Sequence, residues 1–181
     1  MNKIIYLNGF MASGKSTIGP ILANTLGWEF CDLDKIIEEE VGKTIVEIFE
    51  NDGERFFRDK ETEILKKVSD MENIIVSLGG GTSVYNNNLE ILKKTGKIIY
   101  LKTSPEALFN RLKFKKDRPL FNKDNIIESK EGLQLKILQL LEQRAPFYEQ
   151  ADLIINTDDY PLGQTIDMIA KFIHKYIHEK N

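Results

Sequence analysis

A chain of 181 residues, 41% hydrophobic and 29% charged, has the balance of a globular protein able to bury a real core in one domain. Its net charge of −3 gives no electrostatic reason to expect nucleic acid as a partner. The lone Cys31 excludes an internal disulfide, and no apolar run suits a leader or a membrane span, so a cytoplasmic protein is expected.

Residues 3–8 (KIIYLN) read as a strand, and GFMASGKST (9–17) follows at once. This stretch satisfies G-x-x-x-x-G-K-[ST] between a strand and a helix predicted over 15–26. Missing side chains let backbone N–H groups curl around phosphate oxygens, and the helix aims its positive end at the same anion. Lys15 is placed to reach the β- and γ-phosphates and Ser16 to ligate Mg²⁺. Nucleotide binding follows.

Next comes a strand at 29–33 (EFCDL), then a helix over 35–50. DLD (32–34) puts Asp32 and Asp34 on one side of an extended strand end. One carboxylate could hold Mg²⁺ through water and the other accept a proton from a hydroxyl; alternatively, Asp34 caps the helix starting near Lys35. The helix over 54–70 contains GERFFRDKE (53–61), with Arg58 and Glu61 at i and i+3. They read either as a surface ion pair above core aromatics or as a guanidinium held ready for a substrate carboxylate. After the strand at 73–78, SLGGGTSV (77–84) is either a tight turn or a place of close backbone approach to a small ligand.

A helix over 87–95, a strand at 97–101 and a helix over 104–114 come next, the last opened by Ser104-Pro105. RLKFKKDRPLF (111–121) is a basic stretch that suits either a lid or a solvated loop. The helix over 131–149 repeats Leu133, Ile137, Leu140 and Leu141 on one face, with Arg144 near its end just ahead of Pro146. There Arg144 could serve the helix dipole or a ligand. A strand at 152–156 and a helix over 161–178 complete the chain. Strands without clean alternation, separated by helices, predict an α/β fold with a parallel sheet covered on both faces. The exits at 9–17, 32–34 and 79–82 should then meet beyond the carboxyl ends of the strands. No N-K-x-D motif reads guanine, and 181 residues leave little room for motor or switch modules. Lysine outnumbers arginine 20 to 5, so each arginine is a candidate for bidentate anion recognition.

In order, GFM-x-x-GKST, D-x-D, G-E-x-x-F-R-x-x-E, GGGT, R-P-L and R-x-P-x-Y…A-D resemble the shikimate kinase family of small P-loop kinases, over most of the chain. The resemblance implies one domain over 1–181 with a five-stranded parallel sheet, order 2-3-1-4-5, flanked by helices. This is the nucleoside monophosphate kinase-like P-loop NTPase fold, with a substrate-binding helical region around 33–61 and a lid around 112–124. It implies transfer of a phosphoryl group from ATP, with Mg²⁺, to the 3-hydroxyl of shikimate. A monomer is expected, because a small kinase with a moving lid needs no partner to complete its site, and the charge and the short apolar runs give no reason to expect nucleic-acid or membrane partners. Ala12, Ser13, Gly14, Lys15, Ser16 and Thr17 match the nucleotide loop; Arg111 matches a residue that stacks on adenine, and Arg118 a lid arginine that reaches the phosphates. Ser16 and Asp32 match the Mg²⁺ site. Asp34 matches the residue that binds the shikimate hydroxyls and is the candidate base; Lys15, Asp34 and Arg118 form the catalytic set. Arg58 and Arg144 match the pair that clamps the carboxylate, beside Phe57, Gly79, Gly80 and Gly81, with Glu61 orienting the first arginine.

Two departures stand out. Ala12 occupies a position that is often glycine in the family, which is cheap at negative φ but strained in a left-handed conformation. NTDDYP (156–161) has no arginine where some relatives place one beside adenine, and Tyr160 could stack in its stead. A gluconate-kinase-like enzyme and a non-catalytic nucleotide-binding regulatory module are the rival readings; a second-substrate clamp speaks against the latter.

Overall fold

The computed structural model describes residues 3–113 and 129–178. Arg118 and most of the expected lid lie outside the described residues. Five strands, β1 (Ile4–Asn8), β2 (Glu29–Asp32), β3 (Ile74–Ser77), β4 (Lys97–Lys102) and β5 (Leu153–Asn156), form one sheet in the order β2-β3-β1-β4-β5. All neighbouring pairs are parallel, with Ile4 opposite Ile74 and Leu7 opposite Ser77 in the central register. The helices are α1 (Lys15–Leu26), α2 (Leu33–Val41), α3 (Ile45–Asn51), α4 (Gly53–Val68), α5 (Asn88–Thr95), α6 (Pro105–Leu112), α7 (Lys130–Tyr148) and α8 (Leu162–His178).

Alternation along β1 sends its side chains into two separate cores. Ile4 and Tyr6 join Val76 and Ile98 under α2 and α4, through Leu33, Ile37, Ile64 and Leu65. Ile5 and Leu7 join Ile75 and Ile99 under α1 and α8, through Ile18, Leu22, Ile169 and Ile173. β1 is therefore buried along its whole length, which explains why it reads as an unbroken apolar run. A third cluster of Phe10, Met11, Tyr100, Leu108, Ile137 and Tyr148 seats α6 and α7 against the loop leaving β1.

The expected helix over 35–50 is two helices. Gly42 ends α2 at φ 70, a left-handed conformation, and Thr44 opens α3 with a capping box to Glu47. The expected cap is also corrected. β2 ends at Asp32, so Asp32 and Asp34 do not share an extended strand; Asp32 is the N-cap, accepting from the Asp34 amide at 3.2 Å. Asp34 lies in the first turn of α2 instead. Among the described residues no helix is long and apolar enough to cross a membrane.

Candidate active site

The loop from Gly9 to Gly14 wraps tightly because little else fits. Gly9 has φ 142, and a Cβ there would lie 2.7 Å from the Leu101 carbonyl oxygen. Gly14 is the N-cap of α1 with no side-chain cap, the Thr17 amide donates to its carbonyl at 3.0 Å, and the positive end of the helix dipole is turned towards the loop. Lys15 folds back over the loop, its Nζ donating to the carbonyls of Gly9 (2.8 Å) and Phe10 (2.9 Å). The Ser13 hydroxyl is buried without a hydrogen-bond partner among the described residues, which leaves a polar group to be satisfied by a ligand. Ala12 has φ 63, the strained alternative for this position.

This loop and the start of α1 line a cleft of about 690 Å³ together with Asp32, Asp34, Gly80, Arg111, Thr157 and Tyr160. Arg111 sits at its margin, donating from Nη1 to the Ala12 carbonyl at 3.0 Å and facing Asp158 at 3.9 Å. Tyr160, 40% exposed, lies on the same cleft, in a place where a flat ring can be covered. The Ser16 hydroxyl donates to Asp32 Oδ2 at 2.9 Å, joining two hard oxygen donors on one wall. That pair fits Mg²⁺, which takes one or two protein oxygens and completes its shell with water and phosphate.

A second chamber opens off the cleft. Met11, Asp34 and Gly80 line both; beyond them stand Ile45, Phe49, Phe57, Arg58, Glu61, Gly79, Gly81 and Arg144. The glycines permit contact that a side chain would block. A Cβ on Gly79 would fall 2.7 Å from Glu61 Oε1 and 2.8 Å from Asp34 Oδ1, and one on Gly81 would fall 2.8 Å from the Arg58 guanidinium. The tight-turn reading of this stretch is thus too weak; the loop closes on the charged groups.

Arg58 and Glu61 do not form a surface pair. They are 5% and 0% exposed, joined at 2.9 Å from Nη1 to Oε2. Glu61 Oε1 accepts from Thr82 at 2.6 Å, and Arg58 Nη2 donates to Glu54 at 3.2 Å. The guanidinium also lies 4.1 Å from the Tyr85 ring centroid and 5.0 Å from that of Phe57. Burial works against the Arg58 charge, but Glu61, Tyr85 and Glu54 together outweigh it and hold the pKa above its ordinary value. Arg58 Nε has no hydrogen-bond partner among the described residues, so a buried donor remains for an anion. Arg144, 3% exposed, donates from Nη1 to the Gly80 carbonyl at 3.0 Å and lies 5.5 Å from the Phe10 ring centroid. It faces the chamber rather than the carbonyls of its own helix end.

All the expected site residues other than Arg118 thus meet in or beside two connected chambers. Sequence reasoning passed over Thr82, Tyr85 and Tyr148, which hold the arginines and the glycine loop, and Met11, Ile45 and Phe49, which supply apolar wall. Met11, Thr82 and Tyr148 lie inside the GFM-x-x-GKST, GGGT and R-x-P-x-Y motifs; Tyr85, Ile45 and Phe49 carry no local signal.

The model of the shikimate kinase family matches residues 11–174. Shikimate kinases of Chlorobaculum parvum and Chlorobaculum tepidum are each 44% identical over 177 residues, spanning 97% of this chain and 95% and 93% of theirs. Among solved structures, shikimate kinase from Acinetobacter baumannii in complex with shikimate superposes with a TM-score of 0.87 at 34% identity, over 97% of this chain and 95% of that one. A gluconokinase from Sinorhizobium meliloti, 16% identical with a TM-score of 0.58, shares the fold alone. With motifs, sheet order and near full-length identity in agreement, this chain belongs to the shikimate kinase family.

Proposed function

We propose that this chain transfers the γ-phosphoryl group of ATP to the 3-hydroxyl of shikimate, giving ADP and 3-phosphoshikimate on the route to chorismate and the aromatic amino acids. One observation carries the reading: two buried guanidinium groups line a chamber that joins the phosphate-loop cleft through Asp34. A cyclic hydroxy acid pinned by its carboxylate at Arg58 and Arg144 then presents a hydroxyl to Asp34 at the mouth of that cleft. Phe49, Phe57 and Ile45 give its ring carbons an apolar wall.

The loop amides and Lys15 hold the β- and γ-phosphates. Ser16 and Asp32 hold Mg²⁺, which supplies charge neutralisation on the phosphate oxygens. Asp34 orients the attacking hydroxyl and receives its proton as the new P–O bond forms. Arg111 flanks the nucleotide base. Arg118 is assigned to the transferred phosphoryl on its family match alone. One domain over 1–181, working in the cytoplasm, holds all these parts.

The test is ADP release with Mg-ATP across a panel of hydroxylated acids. Turnover with shikimate and none with gluconate is expected; the reverse preference overturns the reading.

A further inference from the structure

One buried hydroxyl beside the site has no part in the chemistry described so far. Tyr148 is 0% exposed, on the last turn of α7, four residues after Arg144 and so on the same helical face. Its hydroxyl donates to the Gly80 carbonyl, which also accepts Arg144 Nη1 at 3.0 Å. Both lone pairs of one backbone oxygen are thus taken by two side chains from one helix. Burial raises the pKa of Tyr148, so it remains a neutral donor at working pH. Its ring is braced by Tyr100, with centroids 5.0 Å apart.

We infer that Tyr148 is a positioning residue for the acid-binding clamp: its hydroxyl fixes the Gly80 carbonyl on which Arg144 docks, and so sets the direction of the Arg144 guanidinium. A lone guanidinium–carbonyl bond leaves the Gly80–Gly81 peptide free to tilt, and the fork would tilt with it. A second donor at the same oxygen removes that freedom. The peptide is planar, so fixing its oxygen also fixes its N–H. The inference rests on the proposed grip of Arg144 on the substrate carboxylate.

The test is a double-mutant cycle on the full chain, read by calorimetric titration of shikimate and by steady-state kinetics with Mg-ATP. Tyr148→Phe keeps the ring and is expected to raise Kd and KM for shikimate about tenfold. The KM for ATP, and kcat at saturating shikimate, should stay within about twofold. In an Arg144→Ala background the same change should cost less than about twofold, because no guanidinium remains to be aimed. Placing 4-aminophenylalanine at 148 restores a donor on the same ring atom and should recover most of the affinity, which a purely packing role would not require. Tyr100→Phe removes the neighbouring hydroxyl and should leave shikimate affinity unchanged.

Unaltered shikimate affinity in Tyr148→Phe, with Arg144→Ala weakened, overturns this inference alone. Full additivity in the cycle does the same. Unaltered affinity in Arg144→Ala overturns the clamp reading and this inference with it. If Tyr148→Phe does not fold by circular dichroism, the 4-aminophenylalanine variant decides: near-native affinity supports the donor role, and a tenfold loss in a folded protein overturns it.

Discussion

Arg58 is held by Glu61 at 2.9 Å, by Glu54 at 3.2 Å and by the Tyr85 face, with Nε left over. Arg58→Lys keeps the charge but cannot fill this planar setting or offer a bidentate fork. The KM for shikimate should rise at least tenfold, while nucleotide affinity by calorimetry stays within about twofold. An equal loss of ATP affinity would show that Arg58 serves the wrong substrate. Asp34 gives a cleaner test than its neighbour. Asp32 already caps α2 through the Asp34 backbone amide, so the Asp34 side chain can be changed without uncapping the helix. Asp34→Asn should lower kcat by about 10²–10⁴-fold with an unchanged circular dichroism spectrum. Near-normal ADP release would remove Asp34 from the chemistry.

The break between α2 and α3 shapes the acid-binding chamber, because α3 carries Ile45 and Phe49 into its wall. Gly42 makes that break at φ 70, with nothing within 4 Å of where a Cβ would stand. Steric crowding is therefore absent, and backbone strain is the sole cost of a side chain there. Gly42→Ala should lower stability by about 1 kcal/mol, read from the urea midpoint. No loss would mean that the joint relaxes without effort. α7 also contributes to the chamber, with Arg144 and Tyr148 converging on the Gly80 carbonyl from one helical face.

Across the whole molecule, several acidic groups are sealed in their neutral forms. Burial, then Asp32 and Glu29, pushes the Cys31 thiol up to about 12; burial, then Tyr148 and Glu149, does the same for Tyr100. Burial also raises Tyr6 and Tyr148. Each folded pKa lies above its unfolded value, so the folded state holds more protons once the unfolded chain begins to ionise. The contribution is full below the unfolded values of 9.0 for Cys31 and 10.0 for Tyr100, and is lost as pH rises towards about 12. Urea midpoints should fall between about pH 9 and 12, less steeply in Tyr100→Phe. A flat profile would contradict this burial.

Much of the architecture was legible because its causes are local. An apolar run before GFMASGKST names a buried strand and a phosphate loop, since backbone geometry and charge at that turn depend on adjacent residues. The order of motifs carried the family and with it the sheet order. The boundary near residue 42 was lost because apolar periodicity runs through it, while the left-handed glycine and the Thr44 cap interrupt the chain. The pairings of the site lie further apart. The spacing of Arg58 and Glu61 leaves a surface pair and a guanidinium held for a ligand equally open until Thr82, bonded to Glu61, and the glycine loop packed on Arg58 decide between them. Ala12 shows its strain only once the loop closes on Arg111. By itself the sequence determined which chemistry the chain holds, because each motif's function is written in neighbouring residues. Only the tertiary structure decided which charges are buried and what aims them, because desolvation and side-chain direction are set by contacts between segments far apart in the chain.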